Sequence, residues 1–187
     1  MMKKLLLVGL ASALLVGCSA PAALNFTPTD LAPVTPAQKI NSELKTISVS
    51  IATKEEQKGE LQVGFMGNDY EQSFKTTFKD SLEDSFARTA IFSDDASNKL
   101  SLSAKILRFE TPGMGFTFDT KLLVRYDFID RKKGISQYVT EIESDGSVPL
   151  DYAFMGAIRA TEARNRAVKA NIQKLINDLK LNTSKFK

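Results

Sequence analysis

Between residues 116 and 128 the large apolar side chains fall on even positions: Phe116, Phe118, Leu122, Val124, Tyr126 and Phe128. Lys121, Arg125 and Asp127 occupy odd positions between them. Successive Cβ atoms of a strand point to opposite sides, so this alternation predicts a strand with one buried and one wet face. Such a strand needs a sheet around it and a second layer above it. The rest of the chain supplies the strands. Leu44 to Ala52 sets Ile47, Val49 and Ile51 against Thr46, Ser48 and Ser50. Lys99 to Phe109 turns Leu100, Leu102, Ala104 and Ile106 to one side. Arg131-Lys132-Lys133-Gly134 reads as a hairpin turn with glycine at its end. Ile135 to Glu143 then returns with Tyr138 and Ile142 on one side, closed by Asp145-Gly146 and Pro149. Ile91-Phe92 fits a short edge strand, followed by a turn over Asp94 to Asn98.

Two helices provide the second layer. Tyr70, Phe74, Phe78, Leu82 and Phe86 recur every fourth residue, an aromatic stripe suited to packing on a sheet. Asn68 followed by Glu71 fits a capping box at the start of this helix, which is expected to run to about Ala87. The last helix is expected from about Tyr152 to Leu181, with Val168, Ile172, Leu175, Ile176 and Leu179 on one face. Ala157, Ala160, Ala163, Ala167 and Ala170 make it thin enough for close approach to the sheet. Arg159, Arg164, Arg166, Lys169 and Lys174 read as its solvated face. The expected architecture is α+β, a two-layer sandwich: a mostly antiparallel four-stranded sheet with two helices packed on one face.

The first residues concern address rather than fold. Lys3 and Lys4 precede an apolar run from Leu5 to Val16, then Gly17 and Cys18. A charged start, a short apolar core and a small residue at the cut describe a secretory signal. An apolar core of about a dozen residues falls short of the ~20 needed to span a bilayer. Leu15-Val16-Gly17-Cys18 resembles the lipobox of bacterial lipoproteins, which implies cleavage before Cys18 and acylation of that cysteine. Two or three acyl chains anchor stably where one does not. Ser19, in place of aspartate, implies sorting to the outer membrane with the domain facing the periplasm. The domain plan is therefore a signal peptide over 1–17, the acylated cysteine with a flexible Pro-rich tether over 18–43, and one periplasmic domain over 44–183. Pro21, Pro28, Pro33 and Pro36 lie among small and polar residues in that tether. Docking of the same stretch through Leu24, Phe26 and Leu31 is the second reading.

Composition narrows the function. The sequence has no histidine, and its one cysteine is assigned to the anchor. His-based acid–base chemistry, Ser-His-Asp triads, His-ligated metals and thiolate nucleophiles are thereby excluded. Two of the 25 basic residues, Lys3 and Lys4, belong to the signal. The remaining charge is nearly balanced and gives no reason to expect nucleic acid. No cofactor and no metal are expected.

Strand directions suggest where a partner could bind. If the end at which the first strand finishes is the upper end, three Phe/Met segments with nearby glycine meet there: Phe65-Met66, Met114 with Phe116, and Phe154-Met155. Together they predict an adaptable apolar patch for a lipid-like or protein partner. The tether is expected to enter at the lower end, leaving this patch far from the anchor. The lipobox, the tether and the strand–helix–meander–helix order resemble the YajG-like outer-membrane lipoproteins. The run from Arg159-Ala160-Thr161-Glu162-Ala163 through Asn165, Val168 and Asn171-Ile172 to Leu175 is similar to their terminal helix. The resemblance implies no catalytic residues. It implies a non-enzymatic envelope accessory or adaptor, held to the membrane through Cys18 and binding an envelope protein or lipid. A peptidoglycan- or glycan-binding lipoprotein is the alternative, and a hydrolase or transferase is less favoured.

Overall fold

The computed structural model describes residues 23–62, 67–111 and 117–186. Strand β1 (Glu43–Ile51) is followed by helix α1 (Asn68–Thr89), strands β2 (Lys99–Glu110), β3 (Phe118–Asp130) and β4 (Ile135–Val148), and helix α2 (Gly156–Leu181). The sheet order is β1-β2-β3-β4. β1 pairs with β2 in parallel, and the other two pairings are antiparallel. The fold is α+β, with both helices on one face, as the alternation and the stripes require.

Each apolar period finds its partner. Every even residue of β3 from Phe118 to Asp130 is buried. Phe74, Phe78, Leu82 and Phe86 of α1 are buried and join the same core as Val168, Ile172, Leu175, Ile176 and Leu179 of α2. In β2 the inward set changes from even to odd residues: Leu100, Leu102, Ala104 and Ile106 lie in this core, and the next residue of the strand to join it is Phe109. A bulge between Ile106 and Arg108 accounts for that, because one extra residue reverses the alternation beyond it.

Several boundaries differ from the sequence reading. Helix α1 is not capped by Asn68. Gly67 takes the N-cap position with φ of 90° and no side-chain cap, and the Glu71 N–H donates to its carbonyl at 3.1 Å. Strand β4 does not turn at Asp145-Gly146 but continues to Val148. Gly146 serves packing instead. A Cβ there would overlap the Ala163 carbonyl and the Ala167 amide of α2, so its missing side chain lets the helix backbone rest on the strand. The expected role of the small residues is thus fulfilled at Ala163 and Ala167, both fully buried.

A closed polar network fixes the helix against the sheet. The Tyr126 hydroxyl donates to Asn171 Oδ1 at 2.6 Å. Asn171 Nδ2 donates to the Ile142 carbonyl at 2.8 Å and to Ser144 Oγ at 3.0 Å. Ser144 Oγ donates to the Ala167 carbonyl at 2.8 Å. Burial pushes the Tyr126 phenol well above its ordinary pKa, so it stays a donor.

The packed unit starts earlier than residue 44. Residues 23–42, expected as tether, lie against the domain as a strap. Phe26 is fully buried, with its ring 4.8 Å from Phe74 and 6.2 Å from Phe78. Leu24, Leu31 and Val34 pack against the core beside it. The backbone is held too: the Val34 N–H donates to the Thr89 carbonyl and the Ile40 N–H to the Ile91 carbonyl, both at 2.8 Å. The physical reason is the gap left between α1 and α2, which needs an apolar filler. At the other terminus the unit continues past residue 183, because Phe186 is buried against Phe92, Phe128 and Tyr138. Cys18, the signal segment, Phe65, Met66, Met114 and Phe116 lie outside the described residues.

Candidate functional site

The strand directions agree with the sequence reading. β1, β2 and β4 rise toward the upper end, β3 descends, and both helices begin there. Of the expected patch, Phe154 and Met155 are described, and both stand in solvent: Phe154 is 101% exposed and Met155 53%. They belong to a short link whose construction explains their exposure. Pro149, in extended conformation and without an N–H to donate, ends β4 after the buried Val148. Leu150–Tyr152 forms one tight turn, and Met155 occupies the N-cap of α2 with no side-chain cap. The helix expected from Tyr152 therefore begins only at Gly156. Leu150 and Tyr152 are 50% and 48% exposed, so four large apolar side chains of this link face outward within six residues.

Arginines expected on a solvated face instead brace this end. Arg166 lies 5.2 Å from the Tyr152 ring, donates to the Ser147 carbonyl at 2.8 Å and pairs with Glu162 at 2.9 Å. Arg159 is buried, its guanidinium 5.1 Å from the Phe118 ring. Arg164 donates to the Tyr70 hydroxyl at 3.3 Å and lies over its ring. Burial raises the Tyr70 pKa, and the Arg164 charge opposes that rise. Aromatic rings brought alongside α2 by the tertiary fold thus take up cations that helix periodicity alone places in water.

Asn165 holds the first described residues of the strap. Its carboxamide accepts from the Asn25 N–H at 3.0 Å and donates to the Ala23 carbonyl at 3.1 Å. Residues 40–43 do enter β1 at the lower end, but the chain before them climbs between the helices. Its first described residue, Ala23, therefore lies in the upper part of the molecule, not at the bottom as the tether reading expected.

At the lower end the fold assembles a basin of about 990 Å³ that includes Lys39, Lys99, Asp130, Arg131, Lys132 and Lys133. The sequence reading saw only the hairpin turn at 131–133. Lys99 joins it through pairing, with the Arg131 N–H donating to the Lys99 carbonyl at 2.9 Å. Asp130 accepts from the backbone N–H groups of Lys132 and Lys133 at 2.8 and 3.0 Å. Those bonds, the one from Lys133 foremost, hold its carboxyl below the usual range. Lys99 pairs with Glu43, which leaves the basin a net excess of cations. No group of three or more His, Cys, Asp or Glu suited to a metal occurs among the described residues. No helix among the described residues is long and apolar enough to cross a membrane. The two ends offer the chemistry of binding surfaces, apolar above and basic below.

No family model and no curated protein matches the chain. Among solved structures, it is similar to a Xanthomonas campestris protein of the family-model DUF330, with a TM-score of 0.55 and 15% identity over 85% of this chain and 95% of that one. A hypothetical protein of Chlamydia trachomatis gives a TM-score of 0.46 and 11% identity over 76% of this chain and 98% of that one. A minor lipoprotein of Acinetobacter baumannii gives 0.35 and 14% over 74% and 92%. At these identities the first likeness supports the fold alone.

Proposed function

We propose that this chain is a lipid-anchored, non-enzymatic envelope protein of the YajG-like kind. Acyl chains on Cys18 hold it in the outer membrane, its domain faces the periplasm, and it acts as an accessory factor or adaptor for a protein or lipid partner. The lipobox carries the anchoring part of this reading. The exposed link Leu150, Tyr152, Phe154 and Met155 carries the binding part, because a soluble domain gains nothing by turning four large apolar side chains outward within six residues. Cys18→Ser followed by membrane fractionation tests the anchor: the variant should leave the membrane fraction, and unchanged retention would refute acylation at that residue. Affinity purification from gently solubilised envelopes, with Phe154→Asp as control, tests the binding end. A partner lost in the control supports it, and equal recovery of all partners refutes it. The glycan alternative keeps one foothold, the exposed Tyr152 and Phe154 with Asp151 beside them. Co-sedimentation with isolated sacculi that depends on Tyr152 would favour it.

A further inference from the structure

The position of Ala23 restricts where the membrane can lie. Asn165 grips the backbone at Ala23 and Asn25, and the buried ring of Phe26 locks the strap between α1 and α2. Only five peptide steps separate Ala23 from Cys18. At 3.3–3.6 Å per residue these reach at most about 18 Å, whatever conformation they adopt. Gly156, the first residue of α2, is nine residues before Asn165, roughly 14 Å along the axis at 1.5 Å per residue. An acylated Cys18 therefore holds the lipid surface close to the upper part of the domain.

Within that reach, two kinds of surface compete for the bilayer. The outer side of α1 carries the ion pairs Glu71–Lys75, Lys79–Glu83 and Asp84–Arg88, which belong in water. The link before α2 carries Leu150, Tyr152, Phe154 and Met155. The other exposed large apolar side chains among the described residues are Ile135, Val139 and Leu181. Ile135 and Val139 open β4 at the lower end, and Leu181 lies sixteen residues below Asn165 on α2, roughly 24 Å away.

Resting on the anchoring reading above, we infer that the partner of the upper end is the bilayer itself: the link 150–155 seats in the headgroup–acyl boundary of the leaflet that holds the acyl chains of Cys18. Phe154 enters furthest. Tyr152 sits at headgroup level, where an amphipathic ring is favoured, with the Arg166 guanidinium on its face at phosphate depth. Asp151, exposed within the link, keeps the insertion shallow. The basic basin at Lys39, Arg131, Lys132 and Lys133 then faces away from the membrane, at the far end of the 13-residue strand β3, about 40 Å off at 3.3 Å per residue.

The sequence contains no tryptophan, so one introduced indole reports alone. The acylated mature protein, beginning at Cys18, is reconstituted into phosphatidylethanolamine–phosphatidylglycerol vesicles as Phe154→Trp and, as lower-end control, Ile135→Trp. Vesicle flotation is measured alongside emission with and without acyl-brominated lipid. The expected result is a blue-shifted Phe154→Trp emission that loses most of its intensity to brominated lipid, while the control is unaffected. A floating protein whose indole at 154 is quenched no more than the control overturns the seating and leaves the anchor intact. A blue shift without quenching means a protein surface or a second copy covers the link, which also overturns it. Failure to float overturns the anchoring reading and this inference together.

Discussion

Replacing Phe26 with alanine tests whether the strap is part of the folded unit. The ring is fully buried, 4.8 Å from Phe74 and 6.2 Å from Phe78, and Phe74 in turn lies 4.9 Å from Phe109 of the sheet. Truncating a buried phenylalanine costs about 3–5 kcal/mol, from lost transfer energy and the cavity left behind. In a domain of this size each kcal/mol lowers Tm by about 2–4 °C, which gives a drop of roughly 6–20 °C. The loss has an upper limit, because the strap can detach: the cost cannot exceed the free energy its docking contributes. Urea denaturation of Phe26→Ala should therefore show a loss within or somewhat below that range. Hydrogen exchange should show the amides of Asn25 and Val34, bonded to Asn165 Oδ1 and the Thr89 carbonyl, losing protection while the Tyr126 region of the core keeps it. A loss under about 1 kcal/mol, with Asn25 and Val34 as protected as before, would refute the reasoning, since a buried phenylalanine that matters cannot be removed so cheaply. The variant also bears on the membrane. With the strap released as far as Val34, sixteen residues separate it from Cys18 and the reach grows to about 55 Å, so the domain is no longer obliged to sit upper end down.

Three other perturbations probe the contacts that set the architecture. Gly146→Val puts a branched side chain against the Ala163 and Ala167 backbone, which cannot rotate away, and should destabilise by about 1–3 kcal/mol or more by chemical denaturation. Asn171→Ala strands the Tyr126 hydroxyl and the Ile142 carbonyl in the core and should cost about 2–4 kcal/mol, with the Tyr126 environment changed in near-ultraviolet dichroism. Asp130 is held below its unfolded pKa, so its contribution is complete above the ordinary carboxylate range and is lost as the pH falls through the lowered value. Asp130→Asn should accordingly flatten the acid limb of a Tm-against-pH curve by lowering its neutral plateau, with the two proteins converging at acid pH.

The strands and helices of this domain were legible because their periods are long and unmixed. Thirteen residues of β3 keep one alternation, and α1 repeats an aromatic or leucine every fourth residue from Tyr70 to Phe86. What the sequence hid depends on contacts between distant residues. Gly146 beside Asp145 carries a turn signature, and only the approach of α2 reveals that it is a packing glycine. Arg159 lies on a helix rich in cations, and the tertiary fold buries it with its guanidinium over the Phe118 ring. The prolines around Phe26 have the composition of a linker, because a strap needs few apolar residues when two helices leave it a groove. That last case alters the reading of the site most. With a free tether, the end bearing Phe154 and Met155 could face any direction. With the strap gripped by Asn165 at Ala23, the same exposed side chains lie within reach of the surface that an acylated Cys18 would occupy. On the proposed anchoring, that proximity would give their exposure a physical cause.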